Sequence, residues 1–523
     1  MVQRSRGPGV QGSESPEVPE SRGPGVRGVR WFVALVVLAS ACAARTEPAV
    51  QAEPAEPAAL AEPAALASSL DAIFNDERFA RATWGVRIES LTDGRVIYTR
   101  NSNKLVVPAS NMKLLTMAAT AKRLGWDFQF ETRLEAVGDV VDGTLHGDLV
   151  VVGGGDPSID SVAFGPAPVF VAWADALHAA GIHRVTGRLV GDDNLFGDDG
   201  IGPGWAWDYL NDGYAAPSSA LSYNENIAII RIWPGATVGA AARVEVTPSG
   251  HGLTLSHTIV TGAAGSELSV GQDRGLNSDD VRLSGSIPID RATPLTRTAS
   301  VHNPTAFFVR GLKSALIERG VFVRGDAVDL DDVDMPVDAS GRRVIATRRS
   351  QPLSSLAAYF LKSSQNFYGE MFLKTLGVRA GGDGTTQVGR LVARQSLREL
   401  GVPEDAYVMY DGSGLSRYNY VSSDAIVTLL KAVWNDASLR GPFLAALPVG
   451  GQDGTLGSRM RNTPLAGRVQ AKTGTISNVR SLSGFVDAPS GERFVFSIIA
   501  NHFTVGSAAV DEVAEKALVE VIR

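Results

Sequence analysis

The segment PASNMKLLT, Pro108 to Thr116, sets Ser110 three positions before Lys113, at the opening of a helical pattern that runs to Arg123-Leu124-Gly125. Residues i and i+3 share a helix face, so the spacing brings a hydroxyl and an amine within reach of each other. A serine hydroxyl becomes a useful nucleophile when a neighbouring base takes its proton, and a desolvated lysine can be neutral enough to act as that base. Alone, S-x-x-K is a weak pattern, because a serine near a helix start often serves only as a cap. The chain contains nine lysines, however, and none of the other eight has a serine three residues before it.

Working outward, the stretch WGVRIESLTDGRVIYTRN before this segment is two alternating runs joined by Thr-Asp-Gly, a β-hairpin pattern, and SSLDAIFNDERFA before that reads as a helix. The far end mirrors it. Arg468 to Thr475, Ser481 to Asp487 and Arg493 to Asn501 read as strands, and SAAVDEVAEKALVEVIR places Val510, Val513, Ala514, Ala517, Leu518 and Val521 at helical spacing. The two ends are expected to share one antiparallel sheet with helices on its faces, an α+β layering. Between about Asp127 and Thr347, short alternating runs separated by Gly/Asp turns predict β-rich material inserted into that domain, interrupted by one helical stretch, PTAFFVRGLKSALIERG.

The bulk properties narrow the chemistry. A length of 523 residues points to more than one domain, and 44% hydrophobic with 20% charged residues is a globular composition. A net charge of -7, with no dense basic block after residue 45, argues against a nucleic-acid partner. The single cysteine, Cys42, excludes an internal disulfide framework, and the seven scattered histidines show no ligand spacing, so neither a metal nor another cofactor is expected. Arg27 and Arg30 precede the apolar run Trp31 to Ala41, which is followed by small residues, the form of an export signal. Cys42 after Leu38-Ala39-Ser40-Ala41 is similar to a lipoprotein signal, which would anchor the chain to a membrane, and plain cleavage after Ala41 or Ala43 fits the same residues. The expected location is the periplasm or cell envelope. Residues 1–44 are therefore set apart as leader and signal, and the EPA-rich residues 45–67 as a Pro/Ala linker.

Two further motifs carry chemistry. Lys472-Thr473-Gly474 on an expected edge strand offers a charge, a hydroxyl donor and close backbone approach to a substrate, although an edge lysine also discourages aggregation. S-x-N occurs twice, as Ser222-Tyr223-Asn224 and Ser364-Gln365-Asn366. The second copy is preferred, because it lies between the helical runs PLSSLAAYFLK and FYGEMFLKTLG, where a short polar loop can face a cleft. The ordered set S-x-x-K, S-x-N, K-T-G is far more specific than any member.

On these motifs, and on Gly153-Gly154-Gly155-Asp156-Pro157, Ala216 to Ser222, Asp411-Gly412-Ser413-Gly414-Leu415-Ser416 and Gly454-Thr455-Leu456, the chain from residue 68 onward resembles the class C low-molecular-mass penicillin-binding proteins, the D-alanyl-D-alanine carboxypeptidase/endopeptidase family. Gln365 stands where Asp is commoner, at a position read as a spacer. The resemblance implies a penicillin-binding/β-lactamase-like domain formed by residues 68–128 and 346–523, with residues 129–345 inserted as two nested domains, in keeping with the roughly 250 residues between Lys113 and Ser364. It implies acyl transfer on peptidoglycan stem peptides: Ser110 as nucleophile and Lys113 as its base, with Ser364, Asn366 and Lys472 completing the catalytic set. It also implies an oxyanion hole from the backbone N–H groups of Ser110 and Thr475, substrate binding at Thr473, Gly474 and Thr475, and β-lactams as covalent inhibitors. A serine β-lactamase and a non-catalytic peptidoglycan-binding module are the alternatives. No Glu-containing deacylation loop of the class A β-lactamase kind is found in the sequence.

Overall fold

Five antiparallel strands form the central sheet in the order Val469–Ile476, Val479–Asp487, Arg493–Asn501, Thr83–Ser90, Val96–Arg100. This is a computed structural model, and it describes residues 58–159, 169–275, 278–333 and 341–523. The leader, the signal and Cys42 lie outside the described residues. The two chain ends meet by strand pairing, with Thr83 opposite Asn501 and Ser90 opposite Phe494, as the alternating runs predict. Gly94, at φ 75, makes the turn of the N-terminal hairpin.

One face of the sheet is covered by the terminal helices Ala58–Phe74 and Ser507–Val521, whose Leu70, Phe74, Val510, Val513 and Leu518 bury against Trp84, Ile88, Leu482 and Phe496. The first of these helices begins inside the expected linker, so residues 58–67 are helical rather than spacer. Alanine, leucine and glutamate are good helix formers, and Leu66 packs against the same core, so propensity and burial together outweigh the proline content.

On the other face sits a helical lobe around Met112–Leu124, in which every residue from Met112 to Ala121 is buried. Leu353–Lys362, Asn366–Arg379, Thr386–Glu399, Ser423–Asn435 and Ala437–Ala446 surround it. In Asn366–Arg379, Phe367 to Gly377 are buried all round, polar Glu370 and Lys374 included.

The inserted material holds a seven-stranded sheet built on Thr144–Val152 and Glu131–Val141, covered by Val169–Ala179 and Pro304–Glu318. Its outer strand, Arg343–Arg349, pairs with Glu131–Val141 in the register Arg349 opposite Glu131. The insert therefore runs to Arg349, and a boundary at 345/346 would cut this strand. Nested within it, two three-stranded sheets enclose a separate core of Ile230, Ile232, Ile259, Val281, Leu283 and Ile287. One of these sheets joins Asp280–Pro288 to Thr254–Gly262 in parallel.

Candidate active site

Ser110 sits in the tight turn Ala109–Asn111 that leads into the helix Met112–Leu124. Three sheet side chains pin this turn. Both Asn501 amide atoms bond to the backbone of Val107 at 2.8 and 3.0 Å, Ser481 Oγ donates to Pro108 O at 2.8 Å, and Asn111 Nδ2 donates to Ser483 Oγ at 2.6 Å. Ala109 is held at φ 48, a left-handed conformation that a non-glycine residue adopts only when its surroundings enforce it.

Lys113 is fully buried one turn on. Its Nζ lies 2.9 Å from Ser110 Oγ, 2.6 Å from Asn366 Oδ1 and 2.7 Å from Ser413 O. Burial drives its pKa down to about 7, against the opposing pull of Asp411 and Glu370. Ser364, itself at φ 62, accepts from Lys472 Nζ at 2.8 Å, and Lys472 also donates to Thr473 O at 2.7 Å. Burial first, and then the nearby Lys113, push Lys472 well below the usual lysine range. The lysine read as a candidate solvent-facing edge residue is thus fully enclosed.

Ser110, Ser364, Asn366 and Thr475 line one cavity of about 620 Å³, together with Tyr209 and Tyr214 from the insert and Leu415, Ile476 and Phe503. That size suits a small ligand or a peptide end. Thr475 Oγ1 accepts from Arg480 Nη1, and the Arg480 guanidinium is forked on Asp511 at 2.8 and 2.5 Å. Thr473 does not line this cavity; its hydroxyl donates to Thr455 Oγ1 at 2.7 Å. Gly474 differs from the expectation of close approach to substrate. A Cβ there would lie 2.9 Å from Ser110 N and 2.2 Å from Ser481 Oγ, so the missing side chain lets the K-T-G strand rest against the nucleophile turn itself.

The first S-x-N copy is structural: Ser222 Oγ donates to Ser219 O at 2.7 Å and Asn224 Nδ2 to Ile227 O at 2.8 Å. Asp411 is a loop organiser, accepting from Trp205 Nε1 at 2.9 Å, Gly414 N at 2.8 Å, Ser416 N at 2.6 Å and Asn419 Nδ2 at 2.6 Å. Asp156, in the other glycine-rich loop, likewise serves its own turn, accepting from Ser158 N at 2.9 Å and Ser158 Oγ at 2.6 Å. Sequence reasoning missed Glu370. Its carboxylate accepts from Gly412 N at 3.1 Å and Ser413 N at 2.9 Å, propping the loop whose carbonyl holds Lys113; burial first, and then Asp411, raise its pKa to about 8. The available signal was an acidic residue flanked by Phe367, Tyr368, Met371, Phe372 and Leu373. Arg480 and Tyr214 carried no local signal, whereas Thr455 lies in the Gly454-Thr455-Leu456 segment on which the resemblance rests.

The D-Ala-D-Ala carboxypeptidase 3 (S13) family matches residues 66–523. A D-alanyl-D-alanine carboxypeptidase from an Actinomadura species is 35% identical over 443 residues, 83% of this chain and 80% of that protein. The D-alanyl-D-alanine carboxypeptidase DacB of Haemophilus influenzae is 25% identical over 81% of this chain and 86% of its own length. The crystal structure of penicillin binding protein 4 from Haemophilus influenzae superposes with a TM-score of 0.75 at 22% identity, covering 87% of this chain and 99% of that one, which places the two in one fold. With a match over nearly all of the described chain and a relative at 35% identity, this protein belongs to the D-Ala-D-Ala carboxypeptidase 3 (S13) family of serine carboxypeptidases.

Proposed function

We propose that the Ser110 cleft receives the D-Ala-D-Ala end of a peptidoglycan stem peptide and cleaves it through an acyl-serine intermediate. The observation that carries this reading is the set of partners around Lys113. Two of them, Asn366 Oδ1 and Ser413 O, can only accept, and the third, Ser110 Oγ, can also donate. A neutral lysine has two N–H groups and one lone pair. Filling the two acceptors leaves the lone pair facing the Ser110 hydroxyl, and a pKa of about 7 makes that neutral form available.

In acylation, the Ser110 proton passes to Lys113 Nζ as Oγ forms a bond to the scissile carbonyl carbon. Backbone N–H groups of Ser110 and Thr475 are assigned to the oxyanion, where one such donor is typically worth about 3 kcal/mol. The terminal carboxylate is assigned to the Thr475 hydroxyl, and to Thr473 once its hydroxyl turns from Thr455. A carboxylate arriving there favours a protonated Lys472, and a charged Lys472 keeps Lys113 neutral. The C–N bond then breaks as Lys472, through Ser364 Oγ, supplies the proton to the departing amine. Water then attacks the ester carbon, giving its proton through Ser364 Oγ to the now neutral Lys472. Lys113 returns its proton to Ser110 Oγ as the C–O bond breaks, leaving a shortened peptide, free Ser110 and both lysines as they began. An amine belonging to a cross-link would make the same step an endopeptidase reaction. β-Lactams would acylate the same serine. Two buried lysines, each hydrogen-bonded to a motif serine, Lys113 to Ser110 and Lys472 to Ser364, favour catalysis over a binding module.

Incubation with a synthetic peptide ending in D-Ala-D-Ala tests this. D-alanine release is expected, falling by a factor on the order of 10⁴ or more in Ser110→Ala. Undiminished release in that variant overturns the reading, and rapid turnover of penicillin with no peptide cleavage would make the protein a β-lactamase. For location, we propose export to the envelope, on the Arg27 to Ala41 segment; cell fractionation checks it, and radiolabelled palmitate incorporation in wild type but not Cys42→Ser would establish the lipid anchor.

A further inference from the structure

We propose that Glu225, carried by the inserted region, is a positioning residue for the S-x-N motif, gripping Gln365 and so fixing Ser364 and Asn366 at the two buried lysines. The proposal rests on the catalytic assignment of Ser364 and Asn366 made above. It starts from backbone strain. Asn224, Glu225 and Asn226 have φ of 48, 54 and 57, three successive left-handed residues without a glycine. Asparagine tolerates this region, whereas glutamate seldom enters it. The loop is held there from several sides. Asn224 N donates to Ile159 O at 3.0 Å, Asn226 Nδ2 to Pro217 O at 2.8 Å and Ser222 Oγ at 3.1 Å, and Val301 N to Asn226 O at 2.9 Å. Strain enforced this thoroughly points to the group that it presents.

That group is the Glu225 side chain, buried at 3% exposure. Oε1 accepts from Tyr359 OH at 2.8 Å, and Oε2 accepts from Gln365 Nε2. Burial, and then Glu225 itself, push the Tyr359 phenol up, so it stays a donor. The other end of the Gln365 amide accepts from Phe367 N at 3.2 Å, in the first turn of the helix that begins at Asn366. Gln365 is thus a strut between the insert and the S-x-N loop, not the indifferent spacer that its place in the motif suggests. A second tie comes from the same insert: Asn366 Nδ2 donates to Tyr214 O at 2.9 Å, which turns Oδ1 toward Lys113. The residues on both sides of Gln365 hold catalytic lysines, so loosening the strut displaces both at once.

The test uses the full chain with Glu225→Gln, Gln365→Glu, Gln365→Met and the double variant Glu225→Gln/Gln365→Glu. The first places an amide N–H against donors, the second sets two carboxylates together, and the third removes the amide without touching the strained loop. The double variant exchanges donor and acceptor, so that Gln at 225 donates to Glu at 365 while still accepting from Tyr359. Each single variant should lower kcat for D-alanine release by about ten- to a hundredfold, with KM within about twofold and the thermal midpoint close to wild type. The double variant should recover to within about threefold of wild type. Wild-type kcat in the singles, a double as slow as the worse single, or joint collapse of kcat, KM and thermal midpoint each overturns the proposal. Ser110→Ala, assayed alongside, keeps the two readings apart: activity there refutes the acyl-serine mechanism, whereas its loss beside an unaffected Glu225→Gln refutes only the strut.

Discussion

Lys113 is the side chain on which the chemistry turns, and its environment gives the reaction a pH signature. Its folded pKa of about 7 lies below the ordinary lysine value because burial penalises the ammonium. The base is therefore protonated and inactive below that pH and free above it, so acylation by a β-lactam should rise with pH through a midpoint near 7. Stopped-flow acylation from about pH 5 to about pH 9 measures this. Asn366→Asp would place a carboxylate at the atom now 2.6 Å from Nζ, favouring the ammonium and moving the acid limb up by about one unit or more. An unchanged limb would mean that another group titrates. Ser110, Lys113, Ser364, Asn366 and Lys472 were legible in the sequence because the chemistry needs short, fixed spacings within single elements. Glu370 and Glu225 were not, because each meets the site only after residues far apart in the chain are brought together, 42 positions for Gly412 and Glu370 and 140 for Gln365 and Glu225.

At the level of elements, the site depends on how closely the K-T-G strand and the Asp411 loop approach the nucleophile turn. Gly414, at φ 86, faces Ala109 O, which a Cβ would approach to 1.9 Å; Gly474 faces Ser110 N, Pro108 O and Ser481 Oγ. Gly474→Ala should push the strand off the turn, lowering the acylation rate by about a hundredfold and stability by about 1–3 kcal/mol, read by stopped-flow labelling and denaturant unfolding. The terminal strands were readable from their alternation, and the helices Met112–Leu124 and Ser507–Val521 from their spacing and the Gly125 stop, whereas Thr386–Glu399, Ser423–Asn435 and Ala437–Ala446 were not read from the sequence. The helix Val169–Ala179 was missed although its buried Val169, Phe170, Trp173, Ala174 and Leu177 recur at helical spacing, since its flanking β-rich texture masked the period. The parallel pairing of Asp280–Pro288 with Thr254–Gly262 left no local mark, because register between distant strands depends on the assembled core.

Across the whole molecule, the insert braces the catalytic part rather than hanging from it. Trp205 Nε1 bonds to Asp411, Ser416 Oγ donates to Pro203 O at 2.6 Å, and Tyr214 and Glu225 hold the S-x-N loop. Trp205→Phe removes one donor to a buried carboxylate and should cost about 1.5–3 kcal/mol of stability, seen as a lower denaturant midpoint, with wild-type stability contradicting the brace. The interval between motifs told the sequence reader that an insert exists, while its contacts with the site emerged only from the fold. The claim beneath all of this is that Ser110 carries the acyl group. Trapping the protein with a slowly released β-lactam and mapping the adduct by peptide mass spectrometry tests it most directly. The mass increment should fall on the peptide containing Ser110 and vanish in Ser110→Ala; an adduct on another residue, or equal labelling of that variant, would contradict it.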